Sequence, residues 1–435
     1  MGAVARWAAV VSVAAAQNVT LVRWDAARRA TNASRWADDG RVNSRKTKTG
    51  APHECFRVRE FVPRASPARF PSHTPGARRV GWFMSMSKPD DAVSKTYVDF
   101  AKAATVSAKL NAPSLFPFFV YTYLPHQHID EPDDALCRFL KAAGTYLVKW
   151  RLSFFDDIPV RIRKSRQGHI NVGAFGRLDV PLIASTVLRK VFETENLDPT
   201  YVLYTDADVI FPRDWPAHGD LTCCRGCARN WPNPKCCRHP LPADAPDVFL
   251  AGTEVFAIWG LNSGVMYMNV PQMLADRHAL LDWGNAKLWQ FQMFDQGMLE
   301  SFYRQEARIG EVHARGKKLD YVGKGFKAWD SFDDHRYNAR GFMRVPNEQP
   351  FVWHWHGFKP YDVQCWLRYL DSGAWDLEEL TIRDGLQETK KGGCRGLLNP
   401  RMQMHECSLA AYLDLLAANE RLLAIADAIY SDDGG

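Results

Sequence analysis

Residues 201–211 read YVLYTDADVIF. Tyr201, Val202, Leu203 and Tyr204 form an apolar run rich in aromatic and β-branched side chains. The run is too short for a helix and predicts a buried strand. Polarity switches abruptly at Asp206-Ala207-Asp208, and apolar residues resume at Val209, Ile210 and Phe211. Two carboxylates one residue apart can point the same way from an extended or turning backbone. Their repulsion makes burial costly unless a cation sits between them. The stretch reads either as a strand ending in an acidic turn or as part of a divalent-metal site.

The flanking chain places this strand in an α/β layer. Residues 115–122 (LFPFFVYT) and 145–152 (TYLVKWRL) read as strands. A helix is expected over 132–143, with acidic residues in its first turn and Gly144 just past its end. A second follows within 173–192. The alternation predicts a mostly parallel sheet with helices on both faces, in which ligands bind beyond the carboxyl ends of the strands. Asp206 and Asp208 stand at such an end. Further strands are expected at 248–251 and 264–270. A polar, Gly-rich segment over 310–341 leads to FVWHWHGFKPY at 351–361. Residues 91–110 have helical spacing and predict a docking helix, ended by Asn111-Ala112-Pro113. The amphipathic stretch 408–430 is expected to pack on the domain.

A chain of 435 residues with 46% hydrophobic and 24% charged content is globular and can bury a large core. The net charge of +6 is unevenly placed: residues 17–112 hold 18 Lys/Arg against 8 Asp/Glu and Arg6 adds one more positive charge, leaving 113–435 at −5. With no basic folded face and no recognisable nucleic-acid module, no nucleic-acid partner is expected. Residues 1–16, MGAVARWAAVVSVAAA, read as a signal peptide: Arg6, a short apolar core, then Ala14-Ala15-Ala16 before Gln17. An Ala-rich disordered start is the competing reading. No run approaches the roughly 20 apolar residues of a transmembrane helix. The sequons Asn18-Val-Thr20 and Asn32-Ala-Ser34 and the ten cysteines fit a secretory-pathway location, in the Golgi lumen or outside the cell. The expected organisation is a signal at 1–16 and a basic, mostly disordered stem at 17–90. A main domain at 91–372, with a Cys- and Pro-rich insertion at 212–247, and a helical extension at 373–435 complete it. In the insertion, Cys224, Cys227, Cys236, Cys237 and His239 suit either disulfides or a structural zinc. Its place directly after the aspartates makes it a candidate for shaping an acceptor site.

Four short stretches stand in order along the chain: Arg177-Leu178-Asp179-Val180-Pro181, Tyr204-Thr205-Asp206-Ala207-Asp208, Asn262-Ser263-Gly264-Val265-Met266, and His354-Trp355-His356-Gly357-Phe358-Lys359-Pro360. With Asp295-Gln296 as a fifth, the set resembles glycosyltransferase family 8, over about residues 113–372. The resemblance implies a Rossmann-like nucleotide-diphospho-sugar transferase fold of the A type and a Mn²⁺ ion or another divalent cation. It also implies a nucleotide-sugar donor, most often a UDP-sugar, a carbohydrate, protein or lipid acceptor, and retention at the anomeric carbon. It assigns Asp206, Asp208 and a histidine to the metal, which carboxylates and imidazole suit. Arg177, Thr205, Asp206, Ala207, Asn262, Ser263, Gly264, Gly357 and Lys359 fall to the donor, with Asp295 and Gln296 facing the sugar's reactive carbon. The histidine stretch departs from the family: one residue rather than two separates Gly357 from Lys359-Pro360, and Tyr361 replaces a Trp. His354 is the expected ligand by its offset from Gly357. His356, on the same face of an extended segment, is the alternative.

Two other functions compete. A strand ending in D-x-D also describes a haloacid-dehalogenase-type phosphatase, with Asp206 as nucleophile and Asp208 as acid/base. A non-catalytic sugar-binding protein of the same fold is the third reading.

Overall fold

The computed structural model of this chain describes residues 78–87, 93–123, 135–160, 168–224, 238–240, 249–252, 262–289, 291, 295–303, 312–314, 317–319, 329–332, 334–340, 349–355 and 406–431. Its elements are, in order, β1 (Arg79–Ser87), α1 (Val93–Asn111), β2 (Leu115–Thr122), α2 (Ala135–Ala142), β3 (Tyr146–Trp150), α3 (Gly168–Ser185), α4 (Arg189–Thr194) and β4 (Leu197–Thr205). Then come β5 (Val209–Ile210), β6 (Thr222–Cys224), β7 (Arg238–Pro240), β8 (Phe249–Gly252), β9 (Asn262–Asn269), α5 (Val270–Ala286) and α6 (Asp295–Tyr303). The rest are β10 (Val312–Ala314), β11 (Lys317–Leu319), β12 (Trp329–Phe332), α7 (Asp334–Tyr337), β13 (Ala339–Arg340), β14 (Trp353–His354) and α8 (Glu406–Ser431).

The main sheet has nine strands in the order β3-β2-β1-β4-β9-β8-β12-β6-β7. β3, β2, β1 and β4 pair in parallel, and β8 pairs in parallel with β12. The antiparallel pairings at β9 and β6 leave every strand but those two running in one direction. This is a mostly parallel, Rossmann-like sheet flanked by helices. From β1 the chain steps outward to β2 and β3, then returns to lay β4 on the other side of β1. The order therefore reverses between β1 and β4, and the crevice beyond their carboxyl ends is where such sheets bind ligands.

Each central strand is buried on both faces. In β1, Val80, Trp82, Met84 and Met86 enter one core with Phe100, Ala101 and Ala104 of α1 and with Leu415, Leu422 and Ile425 of α8. Phe83 on the opposite face joins Phe118, Val202, Tyr204 and residues of α3, α5 and α6. This alternation is the period-two signature of a strand between two helical layers. Burying each such aromatic or aliphatic side chain contributes about 1.5–3 kcal/mol. Helix α5 starts at an Asn269 cap, whose side chain accepts from the Gln272 N–H, with a proline at its opening.

The structure corrects the expected stem: residues 79–87, inside the 17–90 span, form a strand of the main sheet, between β2 and β4. The helix expected within 173–192 is two, with Pro181 inside the first and a turn around Thr186–Leu188 before the second. The strand expected at 264–270 begins at Asn262 and runs antiparallel to β4. β6 and β7, from the Cys-rich insertion, extend the sheet at its far edge. The side chains of that insertion's cysteines, and residues 1–77, lie outside the described residues. Among the described residues, no helix is long and apolar enough to cross a membrane.

Candidate metal and donor site

β4 ends at Thr205, and its side chain is fixed there: the Thr205 hydroxyl accepts from Trp82 Nε1 at 2.9 Å. The chain then turns through Asp206-Ala207-Asp208 and enters β5. β5 belongs to a three-stranded sheet, β13-β14-β5, in which His354 is paired with Val209. The Trp355 N–H donates to the Asp208 carbonyl at 2.8 Å. Helix α1 anchors the far end of β5: Ser107 Oγ accepts from the Phe211 N–H, and Asn111 donates to the Phe211 carbonyl. This small sheet brings a histidine 146 residues downstream against the two aspartates.

Asp206, Asp208 and His354 each offer one ligand atom, and these atoms lie within 4.8 Å of one another. His354 Nε2 is 3.5 Å from Asp208 Oδ1 and 3.9 Å from Asp206 Oδ2. Adjacent ligands of a six-coordinate ion with bonds of about 2.1 Å stand roughly 3.0 Å apart. Closing the cluster thus needs side-chain adjustments of under about 1 Å. His354 and Asp208 are buried, while Asp206 is 33% exposed, so the cluster opens towards solvent on the Asp206 side. Gly264 packs against it: a Cβ there would lie 2.2 Å from His354 Cε1 and 2.9 Å from Asp206 Oδ2. Only glycine leaves this cradle intact. Two carboxylates and an imidazole gathered beside a glycine fit a divalent cation.

Arg177 is the buried cation of the site. α3 lies close on β1 through Gly176, where a Cβ would meet Ser85 Cβ at 2.8 Å. From this position Arg177 Nη2 reaches Asp206 Oδ1 at 2.8 Å, and Nε reaches Asp295 Oδ2 at 2.9 Å. Nη1 donates to the Ser263 carbonyl at 2.5 Å, and the guanidinium lies 4.8 Å from the Tyr204 ring centroid. Burial alone would lower the Arg177 pKa, but the charges of Asp295 and Asp206 outweigh it and leave it raised. Burial is also the main reason that the Asp295 carboxyl is pushed up to about 6, with Arg177 opposing and Asp206 adding to the shift. Tyr204 is likewise raised by burial.

Asn262-Ser263-Gly264 ties these parts together. The Ser263 N–H donates to Gln296 Oε1 at 3.2 Å, and its hydroxyl donates to Asp295 Oδ2 at 3.2 Å. The Gly264 carbonyl accepts from the Asp206 N–H at 2.8 Å. Gln296 Nε2 is buried and has no hydrogen-bond partner among the described residues. A buried donor left in that state costs about 1–3 kcal/mol, and a bound acceptor relieves the cost.

The structure therefore gathers Arg177, Asp206, Asp208, Asn262, Ser263, Gly264, Asp295, Gln296 and His354 at one strand end. Thr205 is turned into the core contact with Trp82, and Ala207 is buried beside the cluster. His356, Gly357 and Lys359 lie outside the described residues. Sequence reasoning missed Asn338, whose side chain meets both Asn262 and His354. No local pattern marks it, because its two partners are 76 and 16 residues away.

No protein-family model matches the chain, and no curated protein matches it. Among solved structures, it is similar to the glycosyltransferase GlyE of Streptococcus pneumoniae TIGR4, at 16% identity and a TM-score of 0.35, over 65% of this chain and 57% of GlyE. The match thus spans little more than half the length of GlyE. Similarity to the galactosyltransferase LgtC, solved with donor and acceptor sugar analogs, is 15% identity at a TM-score of 0.36, over 67% of this chain and 93% of LgtC. Mouse xyloside xylosyltransferase 1 is 11% identical at a TM-score of 0.35, over 64% of this chain and 98% of its own.

Proposed function

We propose that this protein is a metal-dependent glycosyltransferase. It moves a hexose or related sugar from a nucleotide-diphospho-sugar, a UDP-sugar in this reading, to a hydroxyl of a carbohydrate, protein or lipid acceptor, with retention at the anomeric carbon. The observation that carries the proposal is the convergence of Asp206, Asp208 and His354 at the carboxyl end of β4, where the strand order reverses. The ordered motifs that resemble glycosyltransferase family 8 support the same reading.

A divalent cation there, Mn²⁺ in this proposal, supplies positive charge that offsets the charge building on a leaving diphosphate. The chain's own residues do the rest. Arg177 holds Asp206 and Asp295 in fixed orientation while neutralising part of their charge. Asn262 and Ser263 shape the sugar side of the site, and Gln296 Nε2, which has no hydrogen-bond partner among the described residues, donates to a sugar oxygen. Asp295 faces the anomeric carbon and stabilises positive charge developing there, as a carboxylate suits. Both retaining routes, through a covalent bond to Asp295 or by same-face attack of the acceptor, need that carboxylate ionised. The signal-like start, the sequons and the ten cysteines support a secretory-pathway location.

The phosphatase reading fits less well. It needs Asp206 as a nucleophile on the first core strand, whereas Asp206 follows the fourth strand and is ion-paired with Arg177. The test is release of nucleoside diphosphate from a panel of nucleotide sugars with and without Mn²⁺. Metal-dependent release from one or a few donors is expected. Phosphate release from a phosphomonoester instead would favour the phosphatase, and donor binding with no turnover would favour a sugar-binding protein.

A further inference from the structure

Three buried groups form a relay that ends on the histidine of the metal cluster. It starts at the Gly264 N–H, a backbone group that can only donate, which meets Asn262 Oδ1 at 3.2 Å. That contact settles which way the Asn262 amide faces. The same oxygen meets Asn338 at 3.0 Å, so Asn338 must present its NH₂ there. The other end of the Asn338 amide is then its oxygen, 2.9 Å from His354 Nδ1. An amide oxygen can only accept, so Nδ1 carries the proton. In the neutral imidazole the lone pair is therefore on Nε2, the nitrogen that lies 3.5 Å from Asp208 Oδ1. Asn262, Asn338 and His354 are all at most 2% exposed, so bulk water does not substitute for any link.

We propose that Asn338 is a positioning residue of this site, which fixes the ring orientation and tautomer of His354 so that Nε2 is the nitrogen offered to a divalent cation. The inference rests on the metal reading above. Its physical basis is general: a histidine ligand is set by what its other ring nitrogen donates to. The geometry is supplied by the small sheet, since Ala339 and Arg340, directly after Asn338, pair with Trp353 and His354.

The test measures Mn²⁺ affinity of the full chain by calorimetry, with thermal melts in chelator to follow the fold. Asn338→Leu, similar in size but without an acceptor, is expected to weaken binding roughly 10–100-fold. Asn338→Asp keeps an acceptor oxygen for the Nδ1 proton but loses the donor to Asn262 Oδ1, and is expected to recover part of that loss. Because Asp has nearly the shape of Asn, packing alone predicts instead that affinity in both variants falls only in step with the melting temperature in chelator. Because Asn338→Leu can fail to fold, a second measurement uses the wild type: ¹⁵N-histidine NMR with Zn²⁺ bound, the His354 signal assigned by its loss in His354→Gln. A proton on Nδ1 is expected. A proton on Nε2, or a folded Asn338→Leu that binds Mn²⁺ as tightly as wild type, would overturn the inference. If His354→Gln abolishes binding while Asn338→Leu does not, only this inference fails. A wild type that binds no divalent cation overturns the metal reading and this inference with it.

Discussion

Replacing Gly264 by alanine is the perturbation whose consequence the geometry fixes most tightly. The added methyl would stand 2.2 Å from His354 Cε1 and 2.9 Å from both His354 Nε2 and Asp206 Oδ2. Carbon atoms rest at about 3.5–4.0 Å, so the imidazole must retreat by roughly 1.3 Å or more. Nε2 stands 3.5 Å from Asp208 Oδ1 and 3.9 Å from Asp206 Oδ2, and a ring displaced by that much leaves the position from which it shares an ion with both carboxylates. The substitution should therefore remove His354 from the metal without deleting it. The expected result is a fall in Mn²⁺ affinity of roughly 10–100-fold, read by calorimetry. Overpacking itself costs about 1–3 kcal/mol of stability. Gly81→Ala is the control: its methyl would meet Phe192 Cζ at 2.8 Å, in the core beneath the sheet rather than at the site. It should lose comparable stability and keep its metal affinity. Equal affinity in Gly264→Ala and wild type, or equal losses in both variants, would refute the reasoning.

Two further outcomes follow from the buried charges. Removing Arg177 as Arg177→Met leaves Asp295 buried without its cation and should cost about 3–5 kcal/mol in urea unfolding; the double variant with Asp295→Asn should regain a large part. The Asp295 pKa, raised to about 6 from 3.8, means that the folded protein holds this proton more tightly than the unfolded chain. Its contribution to stability is therefore fully present below about pH 3.8 and lost as pH rises through about 6. Relative to Asp295→Asn, the wild type in chelator should lose stability between pH 4 and 7, on the order of 2–3 kcal/mol; parallel pH profiles would contradict the assignment.

What the sequence made legible was what local pattern carries. The polarity switch at Thr205–Asp206 marks both a strand end and a carboxylate pair, and residues 115–122 announce β2 by an unbroken apolar run. β1 was hidden because RVGWFMSMS mixes Gly and Ser into the run and follows a basic, Pro-containing segment; only the two helical layers show why it is buried. Ser85 and Ser87 face Gly176 and Gly173 of α3, where small residues let the helix approach, and Gly81 lies against Phe192 of α4. The direction of β9 was equally invisible, since alternation of side chains is the same in parallel and antiparallel strands. In the site, Asp206, Asp208 and Arg177 stood in recognisable stretches. The choice of His354 rested on an offset from Gly357; its pairing with Val209 is what sets His354 beside the aspartates, while His356 lies outside the described residues. Asn338 had no signal, because a relay through two amides is a property of distant segments brought together.

The central claim is that Asp206, Asp208 and His354 hold a divalent cation on which donor cleavage depends. The most direct measurement is nucleoside diphosphate release from the best donor of the panel, followed against Mn²⁺ concentration in wild type and in Asp208→Asn. Release that saturates with Mn²⁺ in the wild type, vanishes in chelator and is lost by roughly 100-fold or more in a folded Asp208→Asn is the predicted result. Release that persists in chelator, or survives unchanged in Asp208→Asn, would contradict it.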